Sequence, residues 1–541
     1  MNRDVDVVVI GAGFAGLYAL HALREQGFTV ATFEAGTSVG GTWFWNRYPG
    51  ARCDVESLDY QYSFSEELAT EWTWTERYAP QPEILAYAEW VADRLDLRRH
   101  ITFETRVDGA RFDEESSTWR VSTSDGAVTT ARFVVTAAGS ISATSVPPFA
   151  GAESFRGETY HPGRWPAEGV DFTGKRVAVI GVGSSGVQLI PHLADAAGHL
   201  TVFQRTPAYT VPARNRALCA DEITLAKKNH AVLAEQKRRT FSGINLPMTG
   251  DAILATPEPK RTTVLEQAWK LGGNLFLTAF SDVQLDLDAN ELMAAFVRDK
   301  IAAVVDDPAT ARALTPTDYP IGGKRIVTDT DFYATFNRPN TDVVSLREDP
   351  IVEIVPTGVR TESGLHEVDV IVYATGYDNL TGALTRIDFR GRDGVSLKDS
   401  WADGAHTYLG LATSGFPNLF TITGPQSPSV LVNMFAAIEQ HVEWIVRCLT
   451  DLRESGVVEI EALPESERQW GEQVEAAMAM TLYSKTNSWY RGANIAGKTQ
   501  QALMYCGGLV DYRDRCDDVA ADGYRGFVLT DAAALTEEEV A

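Results

Sequence analysis

A chain of 541 residues exceeds what one hydrophobic core usually supports, so two or three domains are expected. Apolar residues make up 44% of it and aromatic rings 10%, which excludes a disordered or fibrous protein. A formal net charge of −25 argues against a nucleic-acid or anionic-membrane surface, because both need clustered cations. No apolar run reaches about 18 residues, so no membrane span is expected. The five cysteines (Cys53, Cys219, Cys448, Cys506 and Cys516) are scattered and never form a C-x-x-C pair. That pattern predicts reduced thiols and a cytoplasmic setting.

In chain order, Val7 to Ile10 is an apolar run of the kind buried on both faces of a sheet, not the start of a signal peptide. It leads straight into Gly11-Ala12-Gly13-Phe14-Ala15-Gly16. Leu17, Leu20, His21 and Leu23 then mark a helix that can stop at Gly27, and Phe28 to Phe33 reads as a strand ending on Glu34. The pattern returns 170 residues later. Arg176 to Ile180 is a strand, Gly181-Val182-Gly183-Ser184-Ser185-Gly186 a turn, Val187 to Ala197 a helix, and Leu200 to Phe203 a strand ending near Arg205. Between about Ala217 and Pro320 strand signals vanish and helical periodicity takes over, as in Glu291 to Val297. Phe133 to Gly139 and Val370 to Gly376 each read as a strand leaving a sheet through small residues. The stretch from Thr530 to Ala541 reads as a solvated tail.

Two G-x-G-x-x-G turns, each between a strand and a helix, predict two dinucleotide sites. The first glycine makes the turn, the second admits a pyrophosphate, and the third lets helix pack on strand. Glu34 lies 18 residues after Gly16, where a carboxylate accepts ribose hydroxyls and repels a 2′-phosphate. Arg205 lies 19 residues after Gly186, where a guanidinium can clamp a 2′-phosphate, although a plain surface charge is an alternative reading. FAD in the first site and NADPH in the second is the simplest assignment. The absence of paired redox cysteines excludes a disulfide reductase, and neither a metal-ligand cluster nor a G-x-S-x-G elbow occurs.

Between the two units stands Phe155-Arg156-Gly157-Glu158-Thr159-Tyr160-His161-Pro162-Gly163-Arg164-Trp165-Pro166. This segment resembles F-x-G-x-x-x-H-x-x-x-W-P, the fingerprint of the type I Baeyer–Villiger monooxygenases. Gly40 to Asp54, Gly322-Gly323-Lys324-Arg325 and Ala374-Thr375-Gly376-Tyr377-Asp378 resemble further family segments. Val55 to Leu97 and Ser488-Trp489-Tyr490 are similar to its phenylacetone and steroid branch. The resemblance implies an α/β fold of two Rossmann-like dinucleotide-binding domains with a mostly helical insertion. FAD would be bound by residues 1–145 and 380–541 and NADP by 146–216 and 321–379, with 217–320 inserted. It implies that Gly11, Gly13, Ala15, Gly16, Glu34, Thr42, Trp43, Phe44, Trp45, Asp54, Tyr60, Val107 and Met434 serve FAD. Arg52, Gly181, Gly183, Ser184, Ser185, Gly186, Val187, Gln188, Leu189, Arg205, Thr206, Lys324, Arg325 and Trp489 would serve NADP.

The implied reaction is oxidation of a ketone to an ester or lactone with O₂ by way of a C4a-peroxyflavin, with Arg325 and Asp54 catalytic. A permanently charged guanidinium suits the anionic peroxide and the oxyanion of its adduct, and Asp54 would hold it near the flavin. Read without the family, Asp54 is equally a turn-capping carboxylate after Pro49-Gly50. For His161 and Trp165 a conformational role is expected. Alternatives are an N- or S-oxygenating flavin monooxygenase, which Trp165 and the Lys324-Arg325 pair oppose, and a non-catalytic NADPH-binding redox sensor. Ser140 and the pocket loop Pro425 to Leu431 depart from the family pattern, which leaves the ketone open.

Overall fold

The computed structural model describes residues 4–245 and 250–531. Its first large sheet grows outward from the strand Val5–Ile10, whose last four residues are buried on both faces. Val5–Ile10 pairs in parallel with Val30–Phe33 on one side and Val128–Thr136 on the other. Across this eight-stranded sheet the order is 388–390, 107–113, 118–123, 128–136, 5–10, 30–33, 101–102, with Leu419–Thr421 also on Val128–Thr136. The 107–136 strands run as an antiparallel meander, so the sheet is mixed. The strands 388–390 and 419–421 come from the far end of the chain, which closes on its own beginning.

The second large sheet is all parallel, in the order 341–345, 199–204, 176–180, 370–373, 158–160. Parallel strands need crossover connections that cover the faces. One is the helix Ser184–Ala196, which buries Val187, Leu189, Ile190 and Leu193. Among the described residues, 217–320 form helices (Ala220–Lys228, His230–Arg238, Glu258–Leu271, Leu287–Val304, Pro308–Leu314) and no strand. Met293, Val297 and Ile301, spaced for one helical face, share a buried cluster with Val177, Val179 and Leu193 of the second sheet.

Both helices after the glycine turns begin earlier than the periodicity suggests, at Phe14 and Ser184, directly behind Gly13 and Gly183. The third glycines explain this. A Cβ on Gly16 would lie 1.8 Å from the Gly11 carbonyl oxygen, and one on Gly186 2.3 Å from that of Gly181, so the turn is already the first helical turn. Thr530, expected in a solvated tail, instead belongs to the strand Phe527–Asp531, which pairs antiparallel with Val457–Ala462; residues 532–541 of that tail lie outside the described residues. All five cysteines are unpaired, and no helix among the described residues is long and apolar enough to cross a membrane.

The aromatic segment 155–166 is bolted between the sheets. His161 accepts the Gly163 N–H at Nδ1 (3.0 Å) and donates from Nε2 to the Gly376 carbonyl (3.1 Å), where the chain leaves the strand Val370–Tyr373 with Gly376 at φ +85°. Trp165 packs between Tyr160 and Phe172. Tyr377 in turn donates to Asn46 of the first glycine unit's side. Burial pushes the His161 imidazole down to about 4, with the Gly376 carbonyl working against that shift, so the ring is neutral. The unfolded chain then binds more protons than the folded one between about pH 6.5 and 4, and His161 stability is lost as pH falls through that window. Wild-type protein should lose about 2 kcal/mol more than His161→Asn on going from pH 7 to 4.5. Urea melts at the two pH values check this, and equal losses would show that His161 is not buried as a neutral ring.

Candidate active site

The site forms where loops from both sheets, the helical segment and the C-terminal region meet. Its centre is an ion pair. Arg325 Nε lies 2.6 Å from Asp54 Oδ2 and Nη2 2.8 Å from Oδ1, a two-pronged contact, while Nη1 donates to the Val430 carbonyl at 2.7 Å. The two side chains are 28% and 20% exposed, so water reaches the pair on one side only. Burial alone would raise the Asp54 carboxyl, but the Arg325 charge and its hydrogen bonds outweigh burial and hold it below its ordinary value. Burial opposes the Arg325 charge in the same way, and Asp54 overcomes it, so the guanidinium stays protonated.

Val430 is presented by a strained loop. Thr423, Gln426 and Ser429 take left-handed φ values of +53°, +67° and +41°, each costing about 1–3 kcal/mol for a non-glycine residue. Side-chain bonds offset this: buried Gln426 accepts from Thr407 N (3.0 Å) and Oγ1 (2.9 Å), and Ser427 donates to the Gly424 carbonyl. The loop 425–431 therefore helps to seat the arginine.

On the first glycine unit, Glu34 is 6% exposed and accepts one backbone N–H per oxygen, from Ala12 (2.8 Å) and Gly36 (2.7 Å). Burial raises its carboxyl, against those same N–H groups. Each oxygen keeps a lone pair for a ribose hydroxyl. Gly41, at φ +52°, lies against the helix start: a Cβ there would sit 2.8 Å from the Gly13 Cα. It caps the short helix Thr42–Trp45, from which Trp43 donates to the Tyr60 hydroxyl at 3.0 Å. Phe44 is buried, Trp45 exposed, and Ala15 half-buried on the helix Phe14–Glu25. Val107 opens a strand as a buried residue, and Met434 begins the helix Met434–Ser455 beside Phe435, whose ring meets that of Tyr60. Trp43, Tyr60 and Phe435 thus form an aromatic wall, and Tyr60 brings it next to Cys53, Asp54 and Arg325.

On the second unit, a Cβ at Gly183 would meet nothing within 4 Å, so open space faces the N-terminus of the 13-residue helix Ser184–Ala196. An anion fits that position. Arg205 is exposed at the end of the strand His199–Gln204, next to Thr206. Lys324 reaches over the Tyr319 ring at 4.8 Å. Its ammonium is lowered chiefly by burial, with Asp318 opposing and Arg205 and Arg347 adding to the effect. Arg347 also stands on this side. It follows the strand Thr341–Ser345, pairs with Asp318, and donates to Thr206 Oγ1 at 3.3 Å. Only the neighbouring strand brings it there, and no local motif marks it.

Arg52 and Gln188 do not stand free. Arg52 pairs with Glu76 at 2.5 Å, and Gln188 bridges the Tyr48 hydroxyl (2.8 Å) and the Arg52 carbonyl (3.0 Å), joining the two glycine units. Trp489 opens a short 3-10 turn and packs against buried Tyr490. The C-terminal segment behind it is tied to the exit of the second sheet by Asn494 on the Tyr377 carbonyl (2.7 Å) and by a Lys498–Asp378 ion pair (2.5 Å). Asn274 was also missed: its amide donates to the Asp54 carbonyl at 2.9 Å from within the helical segment.

Comparison with known proteins follows this geometry. Residues 4–242 match the family of flavin-binding monooxygenase-like proteins. The chain is 42% identical to acetone monooxygenase (methyl acetate-forming) of Gordonia sp. (strain TY-5), covering 98% of this chain and all of that one. It is 41% identical to the phenazine N-monooxygenase of Lysobacter antibioticus, covering 97% of each. Oxidised steroid monooxygenase bound to NADP superposes with a TM-score of 0.93 at 48% identity, over 98% of this chain and 100% of that one. Full-length identity at this level, together with the fingerprint and the arginine–aspartate centre, places the chain in the type I Baeyer–Villiger monooxygenase family.

Proposed function

We propose that this protein uses FAD and NADPH to oxidise a ketone to an ester or lactone, taking one atom of O₂ into product and the other into water. The observation that carries this reading is the Arg325 guanidinium, clamped by Asp54 and the Val430 carbonyl at the junction of both glycine units. Relatives of this fold are known as complexes with FAD and NADP together. In this chain Glu34, the Gly13–Gly41 contact and the Trp43–Tyr60 wall fit the flavin nucleotide. The open helix start behind Gly183, with Arg205, Thr206 and Lys324, fits NADPH. The domain division is proposed as 1–145 with 380–541 for FAD, 146–216 with 321–379 for NADP, and 217–320 inserted.

When bound, FAD reduced by NADPH supplies the activation of O₂. The residues supply the rest. Arg325 holds a fixed positive charge where the ketone carbonyl oxygen gains negative charge, and in a largely dry site such a preorganised donor acts strongly. Asp54 keeps the guanidinium planar to the site and balances its charge while no substrate is present. The strained loop 423–430 fixes the third contact, so the arginine need not reorganise as the reaction proceeds.

The phenazine relative favours one second reading, oxygenation of a ring nitrogen. Incubation with cyclic, aryl-alkyl and steroidal ketones and with a nitrogen heteroaromatic, followed by mass spectrometry, separates ester from N-oxide.

Two outcomes are expected of variants. Arg325→Ala should still oxidise NADPH without air at a rate near wild type, but form ester at least about 10²-fold more slowly. Stopped-flow absorbance and product analysis on one preparation check both, and near-normal ester formation would remove Arg325 from the mechanism. Arg205→Ala should lower the preference for NADPH over NADH by about ten- to a hundredfold, the worth of one charged contact. Steady-state kinetics with both coenzymes measure this, and an unchanged preference would place the 2′-phosphate elsewhere.

A further inference from the structure

Asp54 has both carboxylate oxygens committed to Arg325, so what fixes Asp54 itself decides where the guanidinium stands. Part of the answer comes from the helical segment. Helix Glu258–Leu271 ends in Gly272 and Gly273, both left-handed at φ +68° and +73°. Both positions require glycine on contact grounds as well. A Cβ on Gly272 would lie 2.2 Å from the Pro212 carbonyl oxygen, and one on Gly273 1.9 Å from the Tyr78 hydroxyl. The turn is stitched to the flavin-side segment residue by residue. Arg77, itself held by Glu56, donates to the Leu271 carbonyl at 2.6 Å, Gly273 sits on Tyr78, and the Asn274 amide donates to the Asp54 carbonyl at 2.9 Å. Behind Asn274 the short turn Asn274–Thr278 is anchored by fully buried Phe276, stacked near Phe296 and edge-on to Trp269. The Asn274 orientation follows from its partner: a carbonyl can only accept, so the NH₂ faces Asp54. Its Oδ1 is buried with no hydrogen-bond partner among the described residues.

We propose that Asn274 is a positioning residue that holds Asp54, and through it Arg325, in place for the reacting ketone. The proposal rests on the ketone-oxygenating reading for its consequence, though not for its geometry. Asn274 makes no hydrogen bond to the guanidinium and acts on Asp54, at its carbonyl and in helping to hold its carboxyl ionised. It fixes the peptide of Asp54, and its loss frees that peptide to turn and carries the clamped arginine off its position. The helical segment thereby has a direct part in the chemistry and is more than a cover.

The test uses the full-length FAD-loaded enzyme with Asn274→Leu, similar in size but without a donor, and Asn274→Asp. The aspartate lacks the donor when ionised and regains one, as an O–H in the same place, when protonated. At pH 8 both variants should yield about three- to tenfold less ester per NADPH consumed than wild type. As pH falls, the yield of Asn274→Asp relative to wild type should recover, whereas that of Asn274→Leu should not. Hydrogen exchange of the backbone at 53–57, in the same FAD-loaded protein without substrate, should be at least about threefold faster in Asn274→Leu. Wild-type ester yield from Asn274→Leu overturns the proposal. So do parallel pH profiles of the two variants, which would mean packing and not donation. Unchanged exchange at 53–57 overturns it whatever reaction the enzyme proves to run. Failure of the wild type to make ester from any ketone is a failure of the functional reading, and shows in the wild-type control alone.

Discussion

The rest of the site depends on one buried charge being kept in place: the Arg325 guanidinium, paired with a carboxylate 271 positions earlier in the chain. A cation withdrawn from water is costly unless its partners are close and well directed. Here three of its N–H groups meet oxygen within 2.8 Å, two from Asp54 and one from Val430. Each partner belongs to a different part of the chain, so the pair exists only when the first glycine unit, the second and the C-terminal region are all assembled. Neither group is free to change its charge, because each holds the other ionised.

The seams around this centre are of a different kind. The glycine units meet through neutral groups, Gln188 with Tyr48 and the Arg52 carbonyl and Tyr377 with Asn46, while the C-terminal segment meets the second unit through Asn494 on Tyr377 and one charged contact, Lys498 with Asp378. Neutral hydrogen bonds exchange with water at a net cost near 1 kcal/mol each, far below that of exposing a paired buried charge.

Specificity is divided along the same lines. The two glycine turns are nearly alike in backbone, and the residues that close the following strands differ: Glu34 within a ring of N–H groups, Arg205 in a field of cations with Lys324 and Arg347. A carboxylate in the first position suits ribose hydroxyls and a guanidinium in the second suits a 2′-phosphate. The loop 425–431 holds the Val430 carbonyl against Arg325, and its left-handed backbone is supported by the hydrogen bonds between Gln426 and Thr407.

The sequence by itself determined the strands of the two glycine units, the glycine turns and the charge at the end of each following strand, because these are local: four apolar residues, three glycines and one charge lie within about 30 positions. It also marked Asp54, Arg325 and His161 through segments with a family signature. Tertiary structure alone decided that Asp54 and Arg325 meet, that Val430 offers its carbonyl, that Arg347 comes beside Thr206 and Lys324, and that Asn274 bonds the Asp54 carbonyl. A backbone carbonyl has no residue code, and an asparagine after two glycines reads as any turn. Contacts separated by 105, 141 and 220 positions leave no periodic or spacing signal, since only the folded backbone, through the strand order of two sheets, brings their partners within reach.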